Sequence, residues 1–248
     1  MSLLKAEHIT KKYDNQTIIK DINIYLNEGE IISLLGVSGS GKTTLFNILS
    51  GLIPPDEGKV FLRGDDITSK SGNLSYMLQK DLLFPHKKII DNVILPLIIK
   101  GEKKSVARKK ADPLFSAFGI EGTQKKYPSQ LSGGMRQRAA LLRTYLTSDC
   151  VALLDEPFSA LDAITKSSIH EWYLGIMAKI DLSTIFITHD IDEAILLSNR
   201  IYILGGKPGR ICKEITIDRG NLPLNEFSLT EKFLEYKKEV IETLKNYR

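Results

Sequence analysis

The chain has 248 residues, 42% hydrophobic and 26% charged, with a formal net charge of +4, which suits one large water-soluble domain or a core with a smaller lobe and does not by itself point to nucleic acid. Its two cysteines, Cys150 and Cys212, have neither metal-site spacing nor the pattern of a secreted disulfide framework. No secretory signal is evident in residues 1–7 and no run approaches the ~20 apolar residues of a membrane span, so the expectation is a soluble, cytoplasmic chain that would need a partner for any membrane role.

The first third reads as strands. In Thr17–Leu26 the residues Ile22, Ile24 and Leu26 alternate with Asn23 and Tyr25, as in a half-buried strand. Asn27–Glu30 supplies a turn, and Ile31–Leu35 is an almost continuous apolar run, expected of a strand covered on both faces. A helix is predicted over Thr44–Ser50, and Pro54–Gly58 breaks the pattern before a strand at Lys59–Arg63. A further short strand is predicted at Leu74–Leu78. Between about Phe84 and Gln130 helical patterns and basic clusters take over, most densely in Lys100–Lys110, where six of eleven residues are Lys or Arg. That cluster reads first as a solvated helix face, then as a surface near anionic headgroups, and last as a nucleic-acid contact, since no aromatics interleave with the charges.

Alternation of strand and helix resumes with strands at Val151–Leu154, Thr184–Thr188 and Ile201–Leu204 and helices at Ala163–Ile180 and Ile191–Leu197. In the long helix Ile164, Ile169, Trp172, Tyr173, Ile176, Met177 and Ile180 recur at helical spacing and are assigned to the core. Phe233, Tyr236, Val240, Leu244 and Tyr247 mark a docked amphipathic C-terminal helix.

Three stretches carry chemistry. Gly36-Val37-Ser38-Gly39-Ser40-Gly41-Lys42-Thr43-Thr44 matches G-x-x-x-x-G-K-[ST] between a buried strand and a helix. There the glycines let backbone amides wrap phosphates, Lys42 reaches the β- and γ-phosphates, and the Thr43 hydroxyl is placed to ligate Mg²⁺. The apolar strand Val151–Leu154 ends in Asp155 and Glu156, the first suited to hold Mg²⁺ and the second to orient or deprotonate water. Leu131-Ser132-Gly133-Gly134-Met135-Arg136-Gln137 is a second glycine-rich turn opening a helix, and so a second anion-directed end. Gln79, after a strand, can touch Mg²⁺ or the attacking water, although a surface glutamine is the blander reading. His189 sits at a strand C-terminus, where open α/β sheets place ligand groups, and is also open to a structural role. Tyr13 can stack on a base or stand as an exposed edge tyrosine.

Taken together, residues 1 to 215 resemble the ATP-binding subunits of ABC transporters. In that resemblance Gly36–Thr43 is Walker A, Gln79 the Q-loop, Leu131–Gln137 the signature motif, Asp155 and Glu156 the Walker B aspartate and catalytic glutamate, Ser159-Ala160-Leu161-Asp162 the D-loop, His189 the switch histidine and Tyr13 the adenine-stacking aromatic. Their order supports it: Ser132 follows Lys42 by 90 residues, Asp155 follows by 23 more and His189 by a further 34. The resemblance implies an α/β P-loop NTPase (RecA-like) core with an antiparallel β subdomain and an inserted α-helical subdomain. It divides the chain into a discontinuous core at 1–84 and 131–215, an insertion at 85–130 and a C-terminal extension at 216–248. ATP and Mg²⁺ are the implied cofactors, with Ser132, Gly133 and Gly134 touching the nucleotide of a second copy in a head-to-tail pair.

The implied activity is ATP hydrolysis that drives solute uptake. Implied partners are a second ATP-binding subunit, integral membrane permease subunits and an external substrate-binding protein, without nucleic acid, at the inner face of the cell membrane. Pro208-Gly209-Arg210-Ile211, Leu141–Thr144 and Asp162–Tyr173 look like the nitrate, sulfonate and taurine importer branch, which also takes up thiamine-precursor pyrimidines. Leu82–His86 departs from that branch near the expected coupling surface. Two rivals remain at this stage: a soluble ABC ATPase of nucleic-acid repair or translation, and a regulator that senses ATP without hydrolysing it.

Overall fold

The computed structural model describes residues 2–147, 150–159, 163–180 and 182–247. In chain order its elements are strands β1 (Leu4–Tyr13), β2 (Gln16–Leu26) and β3 (Ile31–Gly36), helix α1 (Lys42–Leu49), strands β4 (Glu57–Leu62), β5 (Asp65–Asp66) and β6 (Ser75–Met77), and helices α2 (Ile89–Val93), α3 (Leu95–Ile99), α4 (Lys104–Ala117) and α5 (Gly133–Tyr145). Then come β7 (Val151–Asp155), α6 (Ala163–Ile180), β8 (Ser183–Thr188), α7 (Ile191–Leu197), β9 (Arg200–Gly205), β10 (Arg210–Thr216), α8 (Leu224–Phe227) and α9 (Glu231–Asn246). Packing divides the chain into two compact units, residues 1–74 with 183–248, and residues 75–182.

The first unit holds two sheets. One is antiparallel, in the order β2-β1-β4-β5. The β1–β2 hairpin turns at Asp14 and Asn15, both at positive φ (45° and 64°), as a two-residue hairpin turn demands. In β2 the alternation holds: Ile22, Ile24 and Leu26 are buried, whereas Asn23 and Tyr25 are exposed. The other sheet runs β10-β9-β3-β8, with β3 parallel to both β8 and β9, and β10 antiparallel at the edge. Every residue of β3, β8 and β9 is buried, which is why their sequences are continuous apolar runs rather than alternating ones.

A buried arginine joins these parts. Arg200, at the start of β9, donates to Glu30 Oε1 and Oε2 at 2.6 and 2.9 Å, to Glu214 at 2.8 Å, to the Tyr202 hydroxyl at 2.9 Å and to the Tyr25 carbonyl at 2.9 Å, and its guanidinium lies 3.8 Å from the Tyr25 ring centroid. Burial alone would lower its pKa, but the hydrogen bonds it donates to Glu30 and Glu214 reverse that and hold it above the usual guanidinium value. Helix α9 closes the unit. Thr230 caps it, accepting from the Phe233 amide at 3.2 Å, and Phe233 and Val240 bury against Ile195, Ile201, Ile215 and Phe227. Each such apolar side chain contributes about 1.5–3 kcal/mol, and Tyr236 and Leu244 pack at the margin.

In the second unit β6 and β7 pair in parallel. The apolar stretch 89–99 forms α2 and α3 and packs within this unit: Ile89, Ile90, Val93, Ile94 and Leu97 are buried, while Ile99 is 77% exposed. On α6 the residues Ile169, Tyr173, Ile176 and Met177 face the core as expected, with Phe158 edge-on to Tyr173 at 5.4 Å between ring centroids. The sequence reading did not single out β1, β10 or α8 as separate elements.

Candidate functional site

In the first unit the glycine-rich loop leaves the C-terminal end of β3. The register places Leu35 beside Thr188 and Gly36 beside Leu204, so the loop and His189 both leave the C-terminal end of parallel strands in one sheet. Gly36 is required there: a Cβ would stand 2.3 Å from the Leu204 carbonyl oxygen. Helix α1 begins at Lys42, two residues before the predicted Thr44, because Gly41 caps it at φ 99°. A left-handed backbone at this point is the province of glycine. Lys42 Nζ arches over the loop and donates to the Gly36 and Val37 carbonyls at 2.7 and 3.0 Å. Ser38, Gly39 and Thr43 are exposed, Val37, Gly41 and Thr44 are half-buried, and Ser40 is buried.

His189 is exposed directly after β8. Its neighbours fix the turn. The Thr188 hydroxyl donates to the buried Glu193 carboxylate at 2.6 Å and accepts from the Asp190 amide at 3.0 Å, while Asp190 caps α7 by accepting from Asp192 and Glu193 amides. Tyr13 is 46% exposed at the end of β1, with the Lys11 ammonium 5.5 Å from its ring centroid.

In the second unit the pairing of Met77 with Leu154 brings the chain beyond β6 level with the chain beyond β7. The Gln79 amide donates to Glu156 Oε2 at 2.7 Å. Glu156 itself has φ 47°, a left-handed backbone uncommon for this residue type, and its carbonyl accepts from the Ser159 amide and hydroxyl. Burial, reinforced by the neighbouring Asp155 carboxylate, pushes the Tyr76 phenol above its usual range. Ala160, Leu161 and Asp162, the rest of the expected D-loop, lie outside the described residues.

Ser132 caps α5, accepting from the Met135 amide at 3.3 Å, and Ser132 and Gly133 are exposed at that helix N-terminus. Two arginines of α5, Arg136 within the signature motif and Arg143 within Leu141–Thr144, hold the segment that follows Gln79, a role that neither motif indicates. Arg136 pairs with Asp81 at 3.2 Å, and Arg143 donates to the Leu82 and Asp81 carbonyls at 2.9 and 2.5 Å. Burial pulls the Arg143 guanidinium down from its usual value, with Asp81 opposing. Gln137 adds a third link, its amide donating to the Pro157 carbonyl next to Glu156. The signature turn, the Gln79 segment and Glu156 are thus tied by side chains of one helix.

Residues 19–159 match the profile of the ABC transporter family. The chain belongs to that family. It is 43% identical to the uncharacterized ABC transporter ATP-binding protein YtlC of Bacillus subtilis, covering 88% of this chain and 86% of that one. Against the formylaminopyrimidine import ATP-binding protein ThiZ of Halalkalibacterium halodurans it is 42% identical over 83% and 81% of the two chains. Against an aliphatic sulfonates import ATP-binding protein, SsuB of Bacillus cereus, it is 38% identical over 96% and 94%. Among solved structures, the dimeric bacterial ABC transporter cassette MJ0796 superposes with a TM-score of 0.73 at 29% identity, over 87% of this chain and 99% of that one. The fold is therefore that of a P-loop NTPase with antiparallel β and α-helical subdomains, and the chain is a nucleotide-binding ABC ATPase.

Proposed function

We propose that this ATPase is the energy-supplying subunit of a solute importer. ATP draws two copies together, and hydrolysis lets them part, moving separate permease subunits served by an external substrate-binding protein. The observation that carries the hydrolytic part is the 2.7 Å hydrogen bond from Gln79 to Glu156: it fixes a carboxylate oxygen beside a neutral amide, the arrangement needed to orient a water without protonating the base. The importer reading is supported by relatives named for sulfonate and formylaminopyrimidine import.

Residue roles follow from the motifs this chain shares with the ABC family and from the chemistry of the groups present. Lys42 and the amides of Gly36–Thr44 hold the β- and γ-phosphates, Tyr13 stacks on the base, and Ser132, Gly133 and Gly134 contact the γ-phosphate bound by the other copy. Glu156 orients and deprotonates the water that attacks the γ-phosphorus, and His189 stabilises the γ-phosphoryl group as it is transferred from ADP to that water. Thr43, Gln79 and Asp155 offer a hydroxyl, an amide oxygen and a carboxylate, hard donors of the kind Mg²⁺ takes alongside phosphates. With Gln79 Nε2 committed to Glu156, its carbonyl oxygen is the end left for that ion. When bound, Mg²⁺ neutralises charge developing on the phosphates.

In this reading residues 1–84 and 131–215 form the ATP-binding core, 85–130 the helical insertion and 216–248 a C-terminal extension. No helix among the described residues is long and apolar enough to cross a membrane. In this reading attachment to the inner face of the membrane runs through the permease, with Leu82–His86 near the expected coupling surface. Steady-state phosphate release tests the proposal. Glu156→Gln should bind ATP with turnover reduced by at least about 10²-fold, and wild-type turnover would remove Glu156 from the mechanism.

A further inference from the structure

Pro208 and Gly209 lie in the turn between β9 and β10, the latter starting at Arg210, and the turn is stitched to β2. The Gly209 amide donates to the Ile18 carbonyl at 2.8 Å, and its carbonyl accepts from the Lys20 amide at 2.9 Å. On its other side Gly209 meets the glycine-rich loop. A Cβ at this position would stand 2.1 Å from the Ser40 carbonyl oxygen, whereas real Cβ atoms essentially never come nearer than 3.0 Å. Next along the loop, a Cβ on Gly41 would lie 2.3 Å from Ile19 Cγ2. Strand β2, the loop at Ser40–Gly41 and the β9–β10 turn are therefore in three-way contact, with no room for a further carbon atom.

We propose that Gly209 is a positioning residue for the phosphate loop, setting the direction of the Gly41 amide; this rests on the reading of residues 36–44 as the loop that holds phosphate. A peptide group is planar and trans, so its carbonyl and its N–H point to opposite sides. The Ser40 carbonyl is turned toward Gly209, and the Gly41 N–H of the same peptide is therefore turned away from the β9–β10 turn. Gly39 and Gly41, at φ 80° and 99°, leave this stretch with glycine's conformational freedom. The Ser40–Gly41 peptide is set by what presses on it from outside. Any side chain at 209 requires the turn and the Ser40 carbonyl to separate by about 0.9 Å, and movement of that carbonyl swings the Gly41 amide with it. Misplacement on that scale costs on the order of 10- to 100-fold where phosphate geometry matters.

Gly209→Ala in the full chain tests this directly. The KM and Kd for ATP should rise at least about tenfold, as expected for a misaligned amide–phosphate hydrogen bond, with kcat altered less; overpacking lowers the unfolding midpoint of the nucleotide-free protein but leaves it folded at the assay temperature. A KM within twofold of wild type would overturn the proposal, as would a rise in KM that only tracks loss of folded protein. Wild-type hydrogen exchange gives an independent check that holds even if the variant fails to fold. If the turn positions the loop, linkage requires ATP to slow exchange at the Gly209 and Lys20 amides, and unchanged exchange there at saturating ATP would overturn it. Lys42→Ala separates the two levels. ATP binding retained in Lys42→Ala defeats the phosphate-loop reading itself, whereas binding lost in Lys42→Ala but kept in Gly209→Ala defeats only the role of Gly209.

Discussion

The side-chain amide of Gln79 donates a 2.7 Å hydrogen bond to Glu156 Oε2, linking the chain just past β6 to the residue just past β7. The bond holds one carboxylate oxygen still and leaves the Gln79 carbonyl oxygen for other work. Gln79→Ala should lower kcat about ten- to a hundredfold, with a smaller change in KM for ATP, because it removes an orienting contact rather than a phosphate contact. Single-turnover hydrolysis at saturating ATP measures this. An unchanged rate would mean that the contact is incidental.

The Thr188–Glu193 hydrogen bond supports His189 from below, inside the core. Glu193→Ala should lower the unfolding free energy by about 1–3 kcal/mol, since it leaves a buried hydroxyl without its acceptor, and should also slow hydrolysis by freeing the histidine turn. Glu193→Gln keeps an acceptor oxygen and should recover most of both losses. Urea unfolding alongside steady-state turnover separates the two effects.

Arg200 brings Glu30, Glu214, Tyr202 and the Tyr25 carbonyl onto one buried guanidinium. Removing it leaves the Glu30 carboxylate, whose side chain is only 11% exposed, with the Asn27 amide but without this buried counter-charge. Arg200→Ala should cost about 3–5 kcal/mol of stability, read as a lower urea midpoint. A loss under about 1 kcal/mol would place this network with ordinary surface pairs.

The elements easiest to read in the sequence were those whose burial matches one simple period. Strands β3, β7, β8 and β9 are apolar runs covered on both faces, and α6 and α9 carry their core residues at helical spacing. Strand β1 is harder because its alternation breaks. A register shift between Ala6 and Ile9, with His8 at φ 53°, moves the inward face by one residue. Strand β10 is an edge strand with a largely polar, exposed sequence, so its existence depends on β9 rather than on its own pattern. In the candidate site the motif residues were legible because each motif is local. Their supports are not local: Arg143 meets Asp81 and Leu82 across some sixty positions, and Gly209 meets Ile18 and Ser40 from the far end of the chain. No window of sequence contains both ends of such a contact.

The exposed Ser132–Gly133 turn at the start of α5 is the part of the chain assigned to a neighbour's nucleotide, so the central claim is a catalytic site completed by a second copy. Sedimentation of Glu156→Gln with and without ATP and Mg²⁺ tests it most directly. A shared site predicts a monomer without nucleotide and a dimer with ATP, and the dimer should be lost again when Ser132→Arg is added. A Glu156→Gln protein saturated with ATP that still sediments as a monomer would contradict it.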